Sequence, residues 1–381
     1  MKSATGTPAL LHVFSTFKVG GPQVRFATLA NHFGGRFRHT VIAMDGDYGC
    51  RERLNSGVHV EFPTLPVKKG HTLANRRLFR EFLRSAPPDL LVTYNWGAIE
   101  WALANWPRLV RQLHIEDGFG PEEAQRQIPR RVWTRRLALR GSMVVVPSHT
   151  LETIALKIWR LAPKSVFYIA NGIDCARYIA PAGQSSSPGF PGTGPIIGTV
   201  AILRREKNLA RLLRAFKLAE ERVSCRLVIV GDGPERAGLE ALAAELGVRE
   251  RVFFTGHIPD PAGIYASMDV FALSSDTEQM PYSVIEAMAA GLSVASVDVG
   301  DVGRMVAPDN ADFIVPLSDE RLADALCRLL ADAELRQRIG AANRRKAERD
   351  YDQSVMFDSY AALFAGDLPP VPSSIPARIA G

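Results

Sequence analysis

The stretch VFALSSDTEQMPYSVIEAMAAGLSVASV, residues 270–297, reads as strand, loop, helix and second strand. Val270–Leu273 and Val294–Ser296 are short apolar runs, and Pro281–Ala290 between them has a helical pattern. Pro281 suits the start of a helix, where its missing N–H is no loss. Gly291 suits the stop. Short apolar runs spaced by helices imply a parallel sheet covered on both faces. Ligands bind at the carboxyl edge of such sheets, and a helix start there favours an anion.

The same alternation fills the chain. In the first half, Leu10–Phe14, Val41–Met44, Leu90–Thr93, Leu109–Leu113, Met143–Val146 and Val166–Ile169 read as strands, with helices near 22–33, 72–85, 96–105, 122–140 and 149–159. The stretch 181–195 is rich in Pro, Gly and Ser, lacks periodicity, and reads as a linker or long surface loop. The pattern then restarts. Ile196–Ala201, Leu227–Val230, Val252–Phe254, Val270–Leu273, Val294–Ser296 and Phe313–Val315 read as strands, and helices fall near 207–221, 234–246, 282–290, 319–331 and 333–349. A last helix covers 352–364, and the Pro-rich tail 366–381 reads as disordered. The fold class is α/β: two Rossmann-like, doubly wound domains facing a cleft, over 1–180 and 196–350.

Composition agrees with a two-domain globular protein. At 381 residues the chain exceeds the size at which one core stops growing. The net charge of +6 is a modest basic excess, compatible with anionic ligands. The four cysteines are far apart and form no C-x-x-C pair, so neither a zinc site nor a disulfide framework is indicated. No apolar run reaches the roughly 20 residues of a membrane span. A cytoplasmic protein is expected, with attachment to a membrane surface left open.

Four elements carry candidate chemistry. Glu278 precedes the 281–290 helix and Glu286 lies inside it among small apolar residues. Glu286 is placed to accept hydrogen bonds from two vicinal hydroxyls, as on a ribose, and Glu278 to do the same on a second sugar. Backbone groups of Met280, Pro281 and Tyr282 would face the phosphates between. Arg204 and Lys207 sit at a strand-to-helix turn, where cations clamp a diphosphate. Gly20 and Gly21 follow the first strand, and Gly233 lies in a similar strand–glycine–helix start, VGDGPER. His114 reads as a strand-end histidine, suited to act as acid, base or dipole. Taken singly, each has a plain structural explanation. No H-E-x-x-H or G-x-S-x-G pattern is present. Asp45-Gly46-Asp47, which comes nearest to a metal-binding D-x-D pair, reads as a turn, and no metal site is indicated.

In order and spacing, these elements resemble retaining glycosyltransferases of family four: the two glutamates ahead of A-M-A-A-G, L-R-x-E-K-N after the second domain's first strand, G-G after the chain's first strand, and N-G-I-D at 171–174. The resemblance reaches to about residue 365 and implies the GT-B fold, with the C-terminal helix 352–365 crossing back to the first domain. It implies ribose binding by Glu286, donor-sugar contact by Glu278, diphosphate neutralisation by Arg204 and Lys207, close approach by Gly20 and Gly21, and a catalytic role for His114. Two positions depart from the family pattern: Ile202 stands where arginine is common, and Gln279 where glycine is.

The implied reaction is metal-independent transfer of a hexosyl group, with retention, from a UDP- or GDP-sugar to a hydroxyl. A lipid-linked saccharide of envelope or exopolysaccharide synthesis is the expected acceptor, bound mainly by the first domain. The basic segments 71–84 and 122–140, the latter with Trp133, suit the anionic inner face of a cell membrane. A non-catalytic sugar-nucleotide-binding module and a GT-B epimerase are the alternatives. Nucleic acid is not an expected partner.

Overall fold

The computed structural model describes residues 6–68, 70–123, 126–179 and 190–369. The chain divides into two units, one running through Ile169 and resuming at Phe357, the other spanning Ala170–Met356.

In the first unit seven strands form one parallel sheet: β1 (Ala9–Phe14), β2 (Arg38–Ala43), β3 (Val60–Glu61), β4 (Leu90–Tyr94), β5 (Arg111–Ile115), β6 (Met143–Val146) and β7 (Val166–Tyr168), ordered β3-β2-β1-β4-β5-β6-β7. The chain winds outward from β1 to β3, then returns to place β4 on the other side of β1. In register, Leu10 lies opposite Leu90 and also opposite His39. Every residue of β4 is buried, as expected of a strand covered on both faces.

The second unit repeats the plan with six strands: β8 (Ile196–Val200), β9 (Arg226–Val230), β10 (Val252–Gly256), β11 (Val270–Leu273), β12 (Ser293–Val297) and β13 (Ile314–Val315), ordered β10-β9-β8-β11-β12-β13. Here the winding reverses between β8 and β11. The helix Leu209–Glu220 buries Leu209, Leu212, Leu213 and Phe216 against this sheet, the stripe its 3.6-residue period prescribes.

Several expectations are corrected. The second unit begins at Ala170, not after a linker, because residues 170–179 belong to it: Ile173 bridges to Asp352, and the Tyr178 ring packs edge-on against Tyr265 at 5.7 Å. Residues 190–195, expected to be loose, are tied to β9. Arg226 donates through Nη1 to the Phe190 carbonyl at 2.6 Å, and its backbone N–H donates to Pro195 at 3.0 Å. The rest of that stretch, 181–189, and most of the expected disordered tail, 370–381, lie outside the described residues. The segment 122–140 is a short 3₁₀ turn, Pro121–Glu123, and a separate helix, Pro129–Ala138, since Pro129 holds Ile128 extended. The C-terminal helix Gln353–Ala365 contains the division at Met356. In the first unit its Phe357 stacks on His32 at 3.8 Å, and Phe364 packs on Phe33 and Phe37.

Candidate functional site

In the second unit the exits of β8 and β11, the two strands between which the winding reverses, carry the expected charges. The β8 exit continues to Arg204 and a 3₁₀ turn, Arg205–Lys207. Asn208 ends that turn in the left-handed region, φ 39°, and caps the next helix through its side chain, which accepts from the Arg211 N–H at 3.1 Å. The β11 exit is laced to this turn. Arg211 donates to the Ser274 carbonyl at 2.9 Å and to Asp276 at 2.8 Å, and the Asp276 N–H donates to the Glu206 carbonyl.

This lacing brings Lys207 and Glu278 together, 71 positions apart in sequence. Lys207 Nζ donates to Glu278 Oε1 at 2.6 Å, and Ser275 Oγ donates to the same oxygen at 2.8 Å. The two side chains keep 26% and 10% of their surface exposed. Both bonds go to Oε1. Arg204 projects with 58% of its side chain exposed, 4.0 Å from Glu206.

The loop Glu278–Met280 is clamped on both sides. Asn171, in the N-G-I-D stretch, is buried; its Nδ2 donates to the Met280 carbonyl at 3.0 Å and its Oδ1 accepts from the Tyr282 phenol. Opposite, the Asp301 N–H donates to the Gln279 carbonyl at 3.0 Å, and Gly300, at φ 56°, comes so near the Glu278 carbonyl that a Cβ there would collide with it. Pro281 proves to be the N-cap of the helix Tyr282–Ala289, not its first turn, and Met280 is buried in the core.

Glu286 is largely buried on that helix. Its Oε2 accepts from the Tyr265 phenol at 2.6 Å, and Tyr178 supplies a second phenol. Burial raises the carboxyl's pKa above the ordinary carboxylate value, while the two phenols and Arg177 pull it back. Burial likewise pushes both phenols up, and the Glu286 carboxylate adds to the shift.

Gly233 has a structural reason to be glycine. A Cβ there would lie 2.5 Å from the Leu203 carbonyl oxygen, and Leu203 and Asp232 exchange a backbone bond at 3.0 Å. The β8 and β9 exits therefore touch backbone to backbone.

In the first unit, Gly20 is the extended N-cap of the helix Gly21–Phe33. A Cβ on Gly20 would meet only the end of the flexible Gln23 side chain, at 2.8 Å. His114 differs from expectation. β5 runs on to Ile115, and the imidazole is wholly buried, with Nδ1 2.9 Å from Thr93 Oγ1 and Nε2 3.6 Å from Glu116. It stands one residue short of the strand's carboxyl end.

The basic segments are also partly internal. Arg76 and Arg80 donate to carbonyls at the end of the helix Ile99–Ala104 and in the turn after it, from Leu103 to Pro107. Arg135 is buried, donating to Glu116 and Glu123 beneath Trp96, Phe119 and Trp159. Trp133, by contrast, is 67% exposed, with Leu73 and Leu137 also open. Among the described residues no helix is long and apolar enough to cross a membrane.

Sequence reasoning identified the charged residues but not their holders. Asn171, Tyr178, Tyr265 and Ser275, which pack on or bond these residues, were not singled out, and the N-G-I-D match was the one local signal that pointed near them.

Residues 184–346 match the family Glycosyl transferases group 1, and residues 19–177 match Glycosyltransferase Family 4. A lipopolysaccharide core biosynthesis glycosyltransferase of Rhizobium meliloti is 30% identical over 212 residues, 55% of this chain and 61% of its own. A 2-deoxystreptamine N-acetyl-D-glucosaminyltransferase of Streptomyces fradiae is 25% identical over 85% of this chain and 86% of its own. This chain spans about two fifths to three fifths of the first curated relatives it matches. Among solved structures, HepE of Anabaena in complex with UDP superposes with a TM-score of 0.78 at 18% identity, covering 94% of this chain and 99% of that one. Sucrose-phosphate synthase of Thermosynechococcus elongatus gives 0.78 at 19%, covering 94% and 98%. With both halves matched in order on two doubly wound parallel sheets, the chain belongs to glycosyltransferase family four and has the GT-B fold.

Proposed function

We propose that the protein is a retaining glycosyltransferase that moves a hexosyl group from a UDP- or GDP-sugar to a saccharide hydroxyl in envelope or exopolysaccharide synthesis. The observation that carries this reading is the Lys207–Glu278 pair, which joins the β8 and β11 exits where the winding of the second sheet reverses. That is where doubly wound sheets bind their ligands.

The roles follow from the donors and acceptors available. Lys207 has three ammonium protons and commits one to Glu278, so two remain for a diphosphate. Arg204 adds a second, open cation. Glu278 Oε2 accepts from the donor sugar, and Glu286, buried beside Tyr265 and Tyr178, accepts from the ribose hydroxyls. As the bond from the anomeric carbon to the leaving phosphate breaks, negative charge grows on the diphosphate, and cations fixed there lower the barrier. The acceptor oxygen bonds to the same face of that carbon, and its proton passes to a phosphate oxygen. The charge is met by Lys207 and Arg204 without a divalent cation, so a chelator leaves activity unchanged.

The acceptor is proposed to be lipid-linked and to reach the protein at the inner membrane face. Support comes from exposed Trp133 and Leu137 beside exposed Arg130 and Arg140.

The test is release of nucleotide from UDP- and GDP-sugars, with and without a membrane lipid extract. Turnover dependent on the extract and lost in Lys207→Ala supports the reading. Binding without turnover identifies a binding module, and a changed sugar without any acceptor identifies an epimerase. No nucleotide release in any combination overturns it.

A further inference from the structure

The loop after β5 carries a carboxylate that the reading above leaves unused. Asp117 pairs with Arg25 in fork-to-fork geometry, Nη1 to Oδ1 at 2.6 Å and Nη2 to Oδ2 at 2.8 Å. Arg25 lies on the Gly21–Phe33 helix with its side chain 3% exposed and its guanidinium 5.9 Å from the centre of the Tyr360 ring. Asp117 keeps 15% of its side chain open, whereas His114 and Glu116, just before it, keep none.

The backbone of Asp117 is held by a strained neighbour. Asn95, the residue after β4, sits at φ 54° and ψ −175°, a region populated mainly by glycine. Its N–H donates to the Ile115 carbonyl at 2.9 Å, and its Oδ1 accepts the Asp117 N–H at 2.7 Å. A glycine would adopt this backbone without strain but has no Oδ1. Asp117 is thus fixed from the two strands between which the winding of this sheet reverses: through Arg25 from the helix after β1, and through Asn95 from β4. Gly118 follows at φ 148° and adds no side chain of its own beside the carboxylate.

We propose that Asp117 is the residue of the first unit that binds the acceptor's hydroxyl, with Asn95 its positioning residue; the proposal rests on the transferase reading. The bidentate arginine neutralises the carboxylate, which disfavours a cation as ligand. Each oxygen takes one bond from Arg25 and has a further lone pair. A neutral O–H donor, as on a saccharide, matches that remaining capacity. In the transfer step Asp117 accepts the hydrogen bond of the acceptor's hydroxyl and so fixes that oxygen on the first unit. The new C–O bond forms, the bond to phosphate breaks, and the proton leaves on phosphate; Asp117 orients and is not itself consumed.

The experiment separates transfer from hydrolysis. Radiolabelled UDP-glucose and GDP-mannose are given to the full chain in plain buffer, where water is the acceptor, and with a membrane lipid extract. Expected for Asp117→Ala is a fall in transfer of roughly thirtyfold, the loss of a hydrogen bond to a charged group. Hydrolysis and UDP or GDP affinity stay within about threefold. Asp117→Asn, which keeps the shape and spares Arg25 an empty cavity, gives a smaller fall of the same kind and replaces the alanine variant if that one fails to fold.

Asn95→Gly tests positioning: the acceptor concentration for half-maximal transfer rises roughly tenfold while the thermal midpoint does not fall. A folded Asp117 variant that transfers like the wild type overturns the proposal, as does an equal loss of hydrolysis and transfer. A wild type that releases no nucleotide from any donor defeats the transferase reading, and this one with it.

Discussion

The two sheets share one winding plan yet treat charge at their carboxyl edges in opposite ways. Beyond β8 and β11, Lys207 and Glu278 meet with part of the lysine open to solvent, in loops laced by Asn208, Asp276 and Arg211. Beyond β4 and β5, Asp117 keeps 15% of its side chain open, but its neighbours withdraw. His114 and Glu116 are sealed, and Arg135 sits 5.0 Å from the ring centres of Trp96 and Trp159 while donating to two buried glutamates. The same topology can therefore leave a charge pair partly open at its edge or seal one in its interior. Solvent access, not residue type, decides which.

The largest effect expected from breaking this contrast is on stability. Arg135→Ala strips Glu116 and Glu123 of a buried partner, a loss of about 3–5 kcal/mol. All five tryptophans lie in the first unit, so their fluorescence reads that unit alone. The fluorescence-detected midpoint should drop by roughly 10 °C. An unchanged midpoint would mean that the buried network does not hold the unit together. Lys207→Ala should do the reverse. Nucleotide release falls roughly 10²–10³-fold, as when one group stabilising a developing anion is removed. Its thermal midpoint hardly moves, because the ammonium is partly solvated. Destabilisation by Lys207→Ala comparable to that by Arg135→Ala would erase the contrast.

A smaller effect comes from pH. In the first unit His12 Nε2 lies 3.1 Å from His39 Nδ1, and His12 Nδ1 lies 3.1 Å from the Tyr94 phenol. Burial lowers both imidazole pKa values, His39 from 6.5 to about 4, with His39 adding to the shift at His12. Unfolding frees both rings to take up protons below pH 6.5. The stability they contribute is therefore whole above that pH and declines as the pH falls toward 4. For His39 alone the loss between pH 7 and 5 is about 2 kcal/mol. Urea midpoints followed by tryptophan fluorescence at the two pH values measure it. In His39→Gln the decline should be visibly shallower; an equal decline would assign it to other groups.

These contrasts mark what the sequence could and could not disclose. Met143–Val146, Val270–Leu273 and the helices Thr72–Ser85 and Asp319–Ala331 have the bounds that periodicity predicts, because each is a continuous apolar run or a clean stripe. β3 escaped because two residues at a sheet edge carry no period. The segment 149–159 was read as one helix, but it changes at Ile154 from α to π, a shift in hydrogen bonding that composition does not encode. Glu278, Glu286 and Lys207 could be placed beside their strand–loop–helix junctions because that order is local. Their holders could not: Asn171 reaches Met280 across 109 positions, and Tyr265 reaches Glu286 across 21. The bounds of β5, expected at Leu109–Leu113 and found at Arg111–Ile115, shifted for the same reason, since pairing with β4 and β6 decides where the strand ends.

The smallest effect sharpens the contrast within the second unit itself. Burial holds the Glu286 pKa above its unfolded value, so the ionised carboxylate is disfavoured by folding. A raised carboxyl pKa contributes stability below the unfolded pKa, and that contribution is lost as the pH rises through the folded value. At pH 7 the charge is thus a burden that the Tyr265 and Tyr178 phenols only partly offset. Glu286→Gln removes the charge and keeps a carbonyl oxygen for Tyr265. The ligand-free midpoint at pH 7 should hold or rise, by at most about 1 kcal/mol, with no gain at pH 4. Binding should move the other way. The wild type should prefer a ribonucleoside diphosphate to its 2′-deoxy analogue by roughly tenfold, one hydrogen bond to a charged acceptor, and the glutamine variant should lose most of that preference. Calorimetric titration with UDP, GDP and their 2′-deoxy forms reads both quantities. If the preference persists in the variant, the ribose is held elsewhere and Glu286 is an interior acid like those under the first sheet. If it vanishes while the fold gains stability, the second unit keeps a costly charge because a ligand uses it.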